Sequence, residues 1–311
     1  MSIDIFFATL PQQLINGLTL GAVYALIALG YSMVYGVLRL LNFAHGDVYM
    51  VGAFIGYGVM VALLPDGTPA ILPAFIIVLM LLAAMIGCGI LGVIIEQFAY
   101  RPLRNAPRIA PLISALGVSF FIQNAVQLTL SADFRTYETA KLIPPALGFD
   151  IFDARLSATR ALVIVSAIVL MIMLQYLVRY TRLGKAMRAV SIDREAAALM
   201  GVNVDHVILF TFFVGSALAG AAGVLTGVVF IRVWHFMGFT AGLKGFTAAV
   251  LGGIGSIPGA MLGGFILGLA ETFAVAFISA TYKDVVAFVV LVIVLLVRPR
   301  GLLGARVAQK V

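Results

Sequence analysis

Charge is what this sequence has least of. Only 11% of its 311 residues are Asp, Glu, Lys or Arg, against roughly 25% in an ordinary soluble domain. A soluble chain of this length needs far more polar surface to cover its core, so that class is excluded. Cysteine is almost missing. Cys88 stands alone, which excludes an intrachain disulfide and a cysteine-based metal site and leaves it as a small hydrophobe packed in a helix. No H-E-x-x-H occurs, and His45, His206 and His235 stand in different segments. No catalytic residue, metal or cofactor is expected on that pattern. No G-x-x-x-x-G-K-[ST] occurs either, and Leu183-Gly184-Lys185-Ala186 lacks both its spacing and its hydroxyl. The chain cannot build a phosphate cradle of that kind, so any ATP-driven work needs a partner subunit. Met1 to Gln13 contain no Lys or Arg. Without a basic n-region the first apolar run is expected to persist as a transmembrane helix rather than a cleaved signal.

What fills the chain instead is apolar. Hydrophobic residues make up 63% of it and the mean hydropathy is +1.14, which excludes intrinsic disorder. Apolar runs stand at Leu14–Leu38, Val48–Leu64, Ile71–Ile95, Ile109–Leu130, Leu162–Val178, Val207–Ile231, Ala260–Ile278 and Val285–Val297. A ninth, Phe246–Ile254, is too short to span alone and pairs with Phe239–Lys244 as a broken crossing. The expectation is an all-α integral membrane protein: one domain over 1–311, about eight or nine crossings, nine being simplest.

The net charge of +7 suits membrane orientation better than nucleic acid, because the basic residues occupy short loops. Arg39, Arg101, Arg104, Arg108, Arg179, Arg182, Lys185, Arg188, Arg194, Arg298, Arg300, Arg306 and Lys310 fall on one side if the runs alternate: 13 of the 20 bases. That side is expected to be cytoplasmic. Asp4, Asp66, the mixed stretch Asp133–Arg160 and Asp284 take the other side. The N-terminus is then periplasmic, the C-terminus cytoplasmic, 131–160 a periplasmic loop and 179–206 a cytoplasmic one.

Glycines recur four apart at Gly17/Gly21, Gly52/Gly56, Gly223/Gly227, Gly259/Gly263 and Gly264/Gly268. Such spacing lets helices approach closely in lipid. It implies a tight bundle and does not by itself mark a dimer face. Two glycine-interrupted regions, Asn42–Asp47 and Gly242–Gly259, each follow a long helix rich in small residues. Corresponding breaks in two halves point to inverted repeats with a pathway between them.

Asn42, His45 and Asp47 flank the second run, with Gly46 among them. Polar groups at that depth are expensive and default to function, but Asn42 or Asp47 could equally cap a helix start. Lys244, beside Gly245 and Thr247, has three fates: an acid partner, for which Glu271 is the candidate, snorkelling, or an aqueous cavity. In the loop at 179–206, Ser191 or Asp193 can cap a short helix over Arg194–Met200, and Gly201 can stop it. A helix standing in a basic loop is either a solvated connector or a docking element.

Glu195-Ala196-Ala197, three further residues, then Gly201 resembles the coupling motif of ABC-importer permeases. Gly21 to Gly36, Asn42-Phe43-Ala44-His45-Gly46-Asp47, Phe246 to Ala260, Tyr282-Lys283-Asp284 and Arg298 to Leu302 are together similar to the branched-chain amino acid ABC-importer permeases, most closely their H-type subunits. Asp47 replaces the commoner Glu. The likeness implies an inner-membrane permease surrounded by lipid. Its expected partners are a related M-type permease as heterodimer, two ATP-binding subunits at the cytoplasmic face, one of them taking the Asp193–Gly201 helix in a groove, and a periplasmic binding protein. Related permeases carry urea, amides or other amino acids, so the cargo stays open at this point. Two other classes remain: an ion-coupled secondary transporter using His45, Asp47, Lys244 or Glu271, and an intramembrane enzyme, for which no convergent set stands out.

Overall fold

The computed structural model describes residues 3–64, 73–104, 106–107, 109–151 and 154–304. Asp66, Arg108, Arg306 and Lys310 lie outside the described residues. The chain is helical nearly throughout. In order come α1 (Ile3–Leu38), α2 (His45–Leu63), α3 (Pro73–Ile95), α4 (Ile109–Leu130), α5 (Thr139–Leu142), α6 (Ala158–Tyr180), α7 (Arg182–Ile192), α8 (Arg194–Leu199), α9 (Val204–Phe230), α10 (Met237–Gly252), α11 (Ile257–Phe277) and α12 (Lys283–Val297). A π-turn at Glu96–Tyr100 and a 3-10 turn at Arg101–Leu103 extend α3, and a 3-10 turn at Ala280–Tyr282 leads into α12. Among the described residues there are also two short antiparallel ribbons. Arg135–Thr136 pairs with Arg232–Val233, and Gly148–Ile151 pairs with Ala154–Ser157.

Eight helices among the described residues are long and apolar enough to cross a membrane. The ninth expected piece is α10, whose 16 residues reach about 24 Å, short of the roughly 30 Å hydrocarbon core. It is one continuous helix, so the break expected over Gly242–Gly245 is corrected. Those glycines serve close packing instead, and the chain interrupts at Gly253–Ser256, where Gly253 and Gly255 have positive φ. The expected short helix in the basic loop also proves to be two, because α7 precedes α8. Its buried side consists of Gly184, Met187 and Val190.

The basic segments gather at one end. Arg101 and Arg104 meet Asp205, and Arg194 donates to Val37 O and Leu38 O at 3.3 and 2.7 Å. Leu302 and Leu303 N–H bond the carbonyls of Leu251 and Gly252. At the other end Tyr137 N–H meets Ile231 O, and Arg155 N–H meets Gln12 Oε1 at 2.9 Å.

Small residues make the helix crossings, and these crossings pair off. Gly264 and Gly268 of α11 press on the backbone of Ala25 and Gly21 in α1; Cys88 of α3 presses on Gly220 of α9, and Gly92 on the Ser216 side chain of α9. α10 seats Gly245 on Ile27 of α1, as α2 seats Gly52 on Gly220 of α9. α1 crosses α9 at Gly30 and Gly215, while α2 crosses α10 at Gly46, Gly238 and Gly242. Since α1 ends where α9 begins, at the basic end, the two sets run in opposite senses. This is an inverted repeat of α1–α4 and α9–α12. The recurring glycines are therefore spent inside the subunit.

A Cβ on Gly268 would strike the backbone of Gly21, whereas one on Gly117 meets nothing within 4 Å. Gly268→Val is expected to cost about 1–3 kcal/mol by overpacking, and Gly117→Ala to be neutral or slightly stabilising. Thermal melting of the purified protein checks both; equal melting temperatures would contradict the close crossing.

Candidate functional site

Where the helix pairs meet, the two glycine-rich regions come together. Gly46 lies against Gly238 and Gly242, the ring of Phe246 is 6.0 Å from Tyr31 and 6.3 Å from Phe43, and the His45 ring packs edge-on to Tyr31 at 4.7 Å. Asn42, His45 and Asp47 are all buried. The capping role for Asn42 and Asp47 is not realised: Ala44 is the N-cap residue and no side chain caps the helix. Asn42 Oδ1 instead accepts from Tyr100 Oη at 3.2 Å. Asp47 Oδ1 accepts from Gln123 Nε2 of α4 at 2.9 Å, while its place in the first turn of α2 sets its charge against the positive end of the helix dipole. Among the described residues Asn42 Nδ2 is buried without a hydrogen-bond partner, while Ile27 O lies within reach of the His45 ring and Ser119 within reach of the Asp47 carboxylate. Leaving such an atom without a partner costs about 1–3 kcal/mol. Thr247, also buried, donates to Leu243 O at 2.9 Å.

Lys244 has the acid partner expected of it, and a second. Its Nζ is 2.7 Å from Glu271 Oε1 and 2.7 Å from Asp284 Oδ1, and Tyr24 Oη donates to Glu271 Oε2 at 2.9 Å. One buried cluster thus ties α1, α10, α11 and α12 together. A matching cluster stands at the basic end, and sequence reasoning missed it. Glu96, fully buried, pairs with Arg104, which also pairs with Asp205 of α9. Each cluster is a buried glutamate, a base and a half-exposed aspartate; the Asp284 and Asp205 side chains are 46% and 48% exposed. Glu96 follows Gly92 by four residues and Glu271 follows Gly268 by three, so the two glutamates occupy related places in the repeats. The signal was present: Glu96 is an acid closing an apolar run, with Arg101 and Arg104 just after it.

The basic loop at 179–206 carries a different kind of site. Asp193 caps α8, its Oδ1 accepting from Glu195 N–H and Ala196 N–H at 2.9 and 3.0 Å. Gly201, at φ +83°, stops it. Ala197 is buried and holds the helix down, while Glu195 and Ala196 face outward. Arg194 reaches from the first turn of α8 to the final carbonyls of α1, a favourable place for a cation. Burial, and then the neighbouring charges of Arg104 and Arg39, push its guanidinium pKa below the ordinary value. Ile192, Leu199 and Met200 are 81%, 88% and 85% exposed. Three apolar side chains thus stand bare on a loop rich in bases.

Among the described residues no group of three or more His, Cys, Asp or Glu could hold a metal ion. Cys88 is buried and its Sγ lies 3.3 Å from Val48 O.

Residues 13–295 match the family described as branched-chain amino acid transport system / permease component. The high-affinity branched-chain amino acid transport system permease protein LivH of Salmonella typhimurium is 44% identical over 303 residues, 96% of this chain and 97% of that protein. The permease protein BraD of Pseudomonas aeruginosa, described in the same words, is 45% identical over 307 residues with the same coverage. Among solved structures, PsaBC from Streptococcus pneumoniae in complex with Fab superposes with a TM-score of 0.49 at 14% identity, over 96% of this chain and 97% of that one. This chain belongs to the branched-chain amino acid transport system permease family, a transport permease rather than an enzyme.

Proposed function

We propose that this chain is one permease subunit of a bacterial inner-membrane ATP-binding-cassette importer for leucine, isoleucine and valine. A second, M-type permease pairs with it, two ATP-binding subunits dock on the basic end, and a periplasmic binding protein delivers the amino acid to the opposite end. The observation that carries this reading is α8: a capped helix with a bare apolar flank, bonded through Arg194 to the end of α1. Force applied to α8 passes directly into the helix at the middle of the bundle. Asp193, Arg194, Glu195, Ala196, Ala197 and Gly201 form the coupling helix. Asn42, His45, Gly46, Asp47, Lys244, Gly245 and Thr247 belong to the region that rearranges as access alternates between the two faces. The unpartnered Asn42 Nδ2 and the close approach of Gly46 to Gly238 and Gly242 support that role.

The composition of the purified complex tests the assembly. One H-type permease, one M-type permease and two ATPases are expected; a chain that purifies and transports alone would refute it. Calorimetry on the binding protein encoded beside the gene tests the cargo. Leucine binding is expected, and urea binding without leucine binding would overturn the cargo assignment.

The basic end is assigned to the cytoplasm by its excess of Lys and Arg. A cysteine replacing Lys185 should resist an impermeant thiol reagent in whole cells, and one replacing Glu138 should react. Cys88 is buried and gives little background. The reverse pattern would invert the topology.

A further inference from the structure

A cavity of about 610 Å³ opens at the end away from the basic loops, within the roughly 300–1,000 Å³ of small-molecule sites. Its walls are chemically divided. Gln12 and Asn16 of α1 and Arg160 of α6 supply polar groups, and Leu20 and Ile143 supply apolar surface. The last turn of α9, Val228 to Phe230, completes the wall. Among the described residues no carboxylate pairs with the Arg160 guanidinium. Its backbone N–H is the one taken up by the Ser157 cap. The amides of Gln12 and Asn16 are ordered by one another, Gln12 Nε2 donating to Asn16 Oδ1 at 3.2 Å. The carbonyl end of α9 lines the same space, and helix C-termini carry partial negative charge. Arg155 also lines it, its Nη2 donating to the carbonyls of Pro145 and Ala146, so among the described residues Arg160 is the lining cation without an acceptor, set beside side-chain amides, the end of α9 and an aliphatic surface.

We propose that this cavity binds a zwitterionic, aliphatic α-amino acid on the uptake route. Its carboxylate meets Arg160, a charge-assisted contact. Its ammonium meets Asn16 Oδ1 and the carbonyls of Val229 and Phe230, since those of Gly227, Val228 and Ile231 already accept from Ile231 N–H, Thr139 Oγ1 and Tyr137 N–H. Its side chain lies on Leu20 and Ile143. The assignment rests on the permease reading above and adds a binding site on the permease itself. An ammonium–anion pair is also the chemistry of a phosphatidylethanolamine headgroup, so the test separates the two sources.

The assembled complex, without its binding protein, is placed in nanodiscs of phosphatidylcholine alone and titrated with radiolabelled leucine. Wild type should bind saturably, with leucine competing and glycine not. Arg160→Gln should weaken binding by about tenfold or more, the loss expected for a charge-assisted hydrogen bond. Thr159→Phe, which fills the cavity without removing a charge, should abolish it, and both variants should co-purify with their partners. Absence of saturable binding by wild type, or equal affinity in Arg160→Gln, overturns the site. So does a retained phosphatidylethanolamine that leucine does not displace in nanodiscs containing that lipid. Binding-protein-dependent, ATP-driven leucine uptake by the same wild-type complex is measured in parallel. Uptake without nanodisc binding removes the site and leaves the permease reading standing; loss of both removes the cargo assignment as well.

Discussion

Lys244→Met should lower the melting temperature of the purified complex by roughly 10 °C. The side chains of Lys244 and Glu271 are each 5% exposed, and Lys244 is 2.7 Å from both of its acids. Removing the cation leaves Glu271 uncompensated in a low-dielectric interior, facing Asp284 of like sign. Breaking a buried pair from one side costs about 3–5 kcal/mol, and each kcal/mol moves melting by about 2–4 °C in domains of roughly 150–250 residues, the low end applying to a longer chain. The double variant Lys244→Met/Glu271→Leu should recover most of the loss, because buried pairs are often replaced neutrally when both partners go. Asp284, half exposed, can then be solvated. A single variant as stable as wild type, or a double variant no better than the single, would remove the cluster from the account. The cycle also measures the coupling between the two residues directly.

Gly201→Pro should cut ATP-driven uptake by about 100-fold or more while the chain still inserts and co-purifies with its permease partner. Gly201 has φ +83° and its N–H bonds Ala198 O at 3.0 Å. Proline fixes φ near −65° and has no N–H, so the end of α8 must rebuild. Nothing lies within 4 Å of a Cβ there, so the bundle itself is not disturbed. Glu195→Lys should act in the same direction by reversing an outward charge beside the apolar flank. ATPase activity should persist in both variants, detached from uptake. Wild-type uptake in both would contradict a coupling role for α8.

Much of the architecture was legible because lipid imposes it. Long apolar runs must be helices to satisfy their own backbone, and the loops that carry the bases then identify one end. The Asp193 cap and Gly201 stop were equally legible, since caps are local chemistry. Glycine misled at α10. Gly242 and Gly245 were read as a break, but in lipid small residues mark helix contact as often as helix ends, and only the fold shows that they press on α2 and α1. α7 was hidden because Arg182, Lys185 and Arg188 stand between the residues of its buried side, so the segment read as a charged connector. Asp284 was read as a loop acid, while its contact with Lys244 depends on how α12 packs beside α10. Glu271 was identifiable as a partner for Lys244 on charge alone; Tyr24 was not, because a tyrosine in an apolar helix carries no sign of which acid it will meet.

The central claim is that this permease works only within an ATP-driven complex. Uptake of radiolabelled leucine into liposomes tests it most directly, comparing this chain alone with the chain plus M-type permease, ATPases and binding protein. Uptake is predicted only for the full set, only with ATP inside the liposomes, and only with the binding protein present. Uptake by the chain alone, driven by an ion gradient without ATP, would contradict the account.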